Sequence, residues 1–160
     1  MRKSQIDQVF VIIFGVIVIA FVLIYGSYVI VNTINTSNKV DNSLFFDNIK
    51  NSVKRCYNLD VGSTCDLSII KVPQSLLYIC FINPGESIDY NSLPKSLNET
   101  IRNYMKANSN SNVFITDSKN NLGFLIDNLK SSTNPLCDRL SDIKINLVLE
   151  NKGTYVQVRP

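Results

Sequence analysis

Four cysteines, Cys56, Cys65, Cys80 and Cys137, are the side chains best equipped for covalent chemistry in this 160-residue chain. Their number is even and the close C-x₂₋₄-C spacing of a zinc site is absent, so disulfides formed in an oxidising compartment are the favoured reading. Of the three pairings that four cysteines allow, Cys56–Cys65 would close a short loop, Tyr57 to Thr64, rich in turn formers. Cys80–Cys137 would then tie a central strand to a late loop, and these two bonds are the favoured set. Histidine is absent, which removes the usual imidazole base, the Ser/His and Cys/His nucleophiles and the commonest metal ligand. No Gly-rich phosphate loop, HExxH or G-x-S-x-G occurs, and no carboxylate pair stands out by spacing. Enzymatic activity, a metal centre and a cofactor are therefore not expected. The 16 Lys and Arg are interspersed with 13 acids, for a net charge of +3 without a block of like charges, so nucleic-acid binding is not expected either.

What must position these residues begins with Val9 to Val31, a run of 23 residues without a charge. As a helix it spans about 34 Å at 1.5 Å per residue, against a hydrocarbon core of roughly 30 Å. A lipid bilayer is thus the first expected partner. Tyr25 and Tyr28 lie where an interfacial aromatic belt would fall, and Arg2 and Lys3 flank the other end, so the positive-inside rule places the N-terminus in the cytoplasm. The run is too long for a signal-peptide h-region and lacks a small-x-small cleavage site, which makes it an anchor, with residues 32–160 outside. The division expected is 1–8 as a cytoplasmic flank, 9–31 as the transmembrane helix, 32–57 as a helical extension and 58–160 as an extracytoplasmic head.

The extension is amphipathic: Val40, Leu44, Phe45, Ile49, Val53 and Cys56 recur at spacings of three to five. Beyond it, Leu67–Val72 and Leu76–Ile82 read as a hairpin across Pro73-Gln74-Ser75, the second run buried on both sides. Ser96-x-x-Glu99 reads as a capping box for a helix with Leu97, Ile101, Tyr104 and Met105 on one face, ending near Ala107. Short strands are expected at Val113–Thr116 and within Leu122–Ile126, the second of which could equally begin a helix, then a final hairpin of Ile143–Leu149 with Thr154–Val158. The fold class is α+β: a long N-terminal helix, transmembrane and then amphipathic, before a small, mainly antiparallel, disulfide-stapled sheet with one or two short helices. Two sequons, Asn35-Thr36-Ser37 and Asn98-Glu99-Thr100, offer Asn35 and Asn98 for glycosylation on the outer side.

The octet Met1-Arg2-Lys3-Ser4-Gln5-Ile6-Asp7-Gln8, basic residues, a small residue and glutamine followed at once by the apolar run, resembles the class III leader of archaeal type IV pilins and related filament subunits. The resemblance is close over about the first 30 residues and otherwise one of layout. It implies cleavage by a membrane prepilin peptidase between Ser4 and Gln5, retention of the helix, and assembly of such helices into a filament or pseudopilus core with β-rich heads outside. Val9 stands where bacterial relatives carry glutamate, so Asp7 is the acid able to pair with the new Gln5 amine of a neighbouring subunit; its simpler reading is a solvated headgroup-zone carboxylate. The function expected is a cell-surface structural subunit that associates with itself or with other pilin-like subunits. The alternative is an uncleaved single-pass surface protein whose outer domain is an adhesion or accessory binding module.

Overall fold

The computed structural model describes residues 3–107, 109–117, 120–140 and 144–160; of residues 3–10, 32 and 34–40 it describes the backbone alone. Helix α1 covers Lys3–Tyr57, and within it the chain divides into two compact units, Met1–Val40 and Asp41–Pro160. The division falls inside the stretch 32–57 expected as the extension, so residues from Asp41 onward belong with the β-rich unit.

In that unit the helical period decides what α1 buries. Phe45, Ile49, Val53 and Cys56 recur every three or four residues and are buried, while Asp47, Lys50 and Lys54 on the opposite side are exposed. Lys54 and Arg55 in the last turn complement the negative end of the helix dipole. Eight strands follow: β1 (Thr64–Asp66), β2 (Leu76–Phe81), β3 (Val113–Asp117), β4 (Asn121–Phe124), β5 (Leu129–Ser131), β6 (Leu136–Arg139), β7 (Val148–Asn151) and β8 (Val156–Arg159). Helix α2 (Lys95–Lys106) lies between β2 and β3 in the chain.

The class is α+β as expected, but the strands form two sheets of four rather than one, in the orders β1-β7-β8-β5 and β4-β3-β2-β6. All pairings are antiparallel except β5 with β8. The second sheet is buried on both faces, and its alternation shows how. Ile79, Phe81, Val113 and Ile115 join Phe45, Ile49, Val53, Leu149 and Val158 in one core. Cys80 and Phe114, from the alternate positions, join Leu97 and Ile101 of α2 in a second. Gly123 on β4 lies against this second core: an added Cβ would stand 2.8 Å from the Phe114 ring and 2.9 Å from the Tyr104 ring.

Three sequence expectations are corrected. Leu67–Val72 is not a strand and forms no hairpin with β2, whose neighbours are β3 and β6. The cause is Asp66: its carboxylate accepts bonds from the Ser68 amide and hydroxyl, both at 2.7 Å, and the backbone turns there. The Ser96–Glu99 capping box does not form, because the N-cap is Pro94, two residues before Ser96, with no side-chain cap bond. The Pro94 carbonyl takes the Leu97 and Asn98 amides at 2.9 and 3.1 Å, leaving Ser96 inside the helix. Finally, β7 begins at Val148 and not near residue 143, which lies outside the described residues. The hairpin with β8 itself forms, with Gly153 at φ +89° in its turn, a conformation open to glycine.

Candidate functional site

The unit Met1–Val40 presents one feature, an apolar helix surface. Between Val11 and Val31 α1 is long and apolar enough to cross a membrane: 21 residues, or about 31 Å at 1.5 Å each, with a mean hydropathy of 2.6. None of this span is buried by the rest of the chain. Seventeen large apolar or aromatic side chains along it are 43–71% exposed, and leaving them in water costs on the order of tens of kcal/mol at roughly 25 cal/mol per Å². The Ser27 hydroxyl within it donates to the Ile24 carbonyl and the Thr33 hydroxyl just beyond it to the Val29 carbonyl, both at 2.9 Å, while the Tyr25 and Tyr28 phenols lie near the end of the span. A helix that meets its own polar needs in this way fits an environment without water. At Gly15 and Gly26 an added Cβ would meet nothing within 4 Å, so both notches are open to a neighbour.

Ser4, Gln5 and Asp7 fall in the backbone of α1, with side chains outside the described residues, as is that of Asn35. Cys56, in the last turn of α1, is bonded to Cys65 on β1 across a Cα–Cα distance of 5.9 Å. Cys80 is bonded to Cys137 directly opposite it on β6, with Cα atoms 4.1 Å apart. All four cysteines are thus in disulfides, which takes them out of metal ligation, and no cluster of potential ligands occurs among the described residues. Asn98 sits in α2, where its Nδ2 donates to the Tyr90 carbonyl at 2.7 Å and its Oδ1 accepts from Arg102 Nε at 2.7 Å. Glycosylation at Asn98 would replace one of the two Nδ2 hydrogens, leaving a single one to serve the Tyr90 carbonyl.

The chain matches no protein family, no curated protein and no solved structure.

Three groups of residues in the β-rich unit were not singled out by the sequence. The first is a set of buried asparagines that bond like strands. Asn83 Oδ1 accepts from the Ser131 amide at 2.8 Å and its Nδ2 donates to the Ser131 carbonyl at 3.1 Å. Asn112 does the same to Ile126, at 2.8 and 2.7 Å, and reaches the Leu129 carbonyl at 3.3 Å. Asn151 Nδ2 donates to the Tyr57 and Leu59 carbonyls at 3.1 and 2.7 Å, while its Oδ1 accepts from the Gly153 amide at 2.7 Å. The second is a hollow of about 460 Å³ where Asn51 and Arg55 of α1 face Ile69 and Lys71. Beside it, bonds from Ser68, side chain first and backbone second, hold the Asp66 carboxyl below its usual range. The third is a polar hollow of about 230 Å³ beside β5, lined by Glu86, Lys130, Tyr155 and Gln157 among others. Glu150 on β7 accepts from Lys152 at 2.6 Å and pairs with Arg159 at 3.2 Å, and the Lys152 bond is the main cause of its lowered carboxyl pKa.

Proposed function

We propose that this chain is a membrane-anchored structural subunit of the cell surface, pilin-like in organisation, inserted with its N-terminus in the cytoplasm and its disulfide-stapled domain outside. One observation carries the reading: the Val11–Val31 surface is wholly uncovered by its own chain, while residues 41–160 bury a core of their own. Such a helix suits lipid, and it also suits burial against copies of itself in a fibre surrounded by water, where removing apolar surface from water supplies the drive. Two disulfides in the same chain favour an oxidising exterior for the domain that bears them. The leader-like octet adds the processing step: cleavage between Ser4 and Gln5 by a prepilin peptidase frees an amine that Asp7 of a neighbouring copy could neutralise at the membrane boundary.

Intact mass and N-terminal sequencing of the protein from native membranes test this directly. The expected mature terminus is Gln5, and shearing of cells should release the protein in filaments. A retained Met1-Arg2-Lys3-Ser4 together with a protein that stays in the membrane after shear would overturn the filament reading and leave an uncleaved single-pass surface protein.

A further inference from the structure

The geometry points to the polar hollow beside β5 as a binding site for a single uncharged carbohydrate ring. Its floor is fixed before any ligand arrives. Asn83 is 8% exposed and spends both ends of its amide on Ser131, with a further bond from Nδ2 to Glu86 Oε2 at 2.9 Å. Asn134 accepts from the Asn83 amide and donates to the Asn83 and Ser87 carbonyls, each at 3.1 Å. Segments 83–87 and 131–134 are thereby stapled together, so binding would order little backbone, a condition that favours affinity.

Above this floor the polar groups are uncommitted. Ser132, Tyr155 and Gln157 line the hollow, and their side-chain polar groups have no hydrogen-bond partner among the described residues. Lys130 Nζ stands 3.8 Å from Glu86 Oε1, too far for a hydrogen bond, with both side chains about half exposed. The same Nζ lies 5.3 Å from the Tyr155 ring centroid. Once the ammonium swings toward a ligand it uncovers an aromatic face. The hollow thus combines donors, acceptors and one ring, the set that a polyhydroxylated ring with an apolar C–H face can use in full.

Charge and shape exclude the other classes. One cation and one anion border the hollow, so neither an anionic nor a cationic ligand gains net Coulombic attraction. A peptide adding as a strand to β5 would need the outward amide and carbonyl of Ser131, and Asn83 already holds both. At about 230 Å³ the space is below the roughly 300–1,000 Å³ of pockets for drug-sized ligands, a size that suits contact with one ring.

The inference stands apart from filament assembly and is tested on the full chain in a detergent without a sugar headgroup. Glucose, galactose, mannose and N-acetylglucosamine are titrated separately to about 50 mM, covering the millimolar affinities expected of so small a contact, while amide NMR shifts are followed. At least one sugar should give saturable shifts confined to residues 83–87, 130–134 and 155–157. Tyr155→Ala and Gln157→Ala should each weaken binding at least tenfold, whereas Arg55→Ala, in the other hollow, should leave it unchanged. Should Tyr155→Ala fail to fold, Tyr155→Leu, which removes the ring and hydroxyl but keeps an apolar side chain, carries the same expectation. Absence of saturable shifts with all four sugars, or binding indifferent to these variants, would overturn the proposal.

Discussion

At the scale of single residues the β-rich unit is organised by side chains that act as backbone. A primary amide presents an N–H donor and its carbonyl acceptor on one side, matching the N–H and C=O that a single strand residue turns toward its neighbour, so Asn83 and Asn112 can stand in for the strand that β5 lacks on its outer side. An open strand edge is otherwise a template for unwanted pairing. Replacing Asn83 by alanine strands the Ser131 amide and carbonyl, and an unsatisfied buried polar group costs about 1–3 kcal/mol. Denaturant melts of the oxidised chain should show that loss for Asn83→Ala, while the exposed Asn58→Ala should stay within about 0.5 kcal/mol of the parent; equal midpoints for the two would refute the role given to Asn83. None of this was legible in the sequence. Twenty asparagines occur in the chain, and nothing local separates the few whose surroundings are dry from the many that are solvated.

At the scale of elements, periodicity was readable and local bonding was not. The three-to-four spacing of Phe45, Ile49, Val53 and Cys56 announced the buried side of α1, and the unbroken apolar run Leu76–Ile82 announced a strand that is covered on both faces from Ile79 onward, with Leu77 exposed. Leu67–Val72 has the same composition but turns, because the Asp66 carboxylate captures Ser68. Strands β5 and β6 are three and four residues long with polar members, and only their partners make them strands. The two favoured cysteine pairings form, and they close loops of very different size, with sequence separations of 9 and 57. If chain entropy governs, removing Cys80–Cys137 should cost about 1.6 kcal/mol more than removing Cys56–Cys65, since closure entropy grows as the logarithm of loop length. Paired Cys→Ala variants compared by urea denaturation give the difference, and a larger loss for the shorter loop would reject that account.

At the scale of the whole molecule, the fold separates the part that needs another phase from the part that does not. Residues 41–160 hold the core, both sheets and both disulfides, whereas the Val11–Val31 surface has no cover in the chain. A fragment of residues 41–160 should therefore stay in aqueous solution without detergent and show no free thiol after oxidative refolding, while the full chain should require detergent. Precipitation of the fragment, or reaction of its cysteines with a thiol reagent, would contradict that division. The Cys80–Cys137 bond also governs how the domain bears mechanical load. Tension between α1 and the C-terminus passes from residue 80 to residue 137 through sulfur, bypassing the 57-residue separation that includes α2, β3, β4 and β5. A subunit tugged at its two ends would pay out only the chain on either side of that shortcut, and the bypassed segment would carry no tension itself, although β5 would lose its partner once β8 was drawn away.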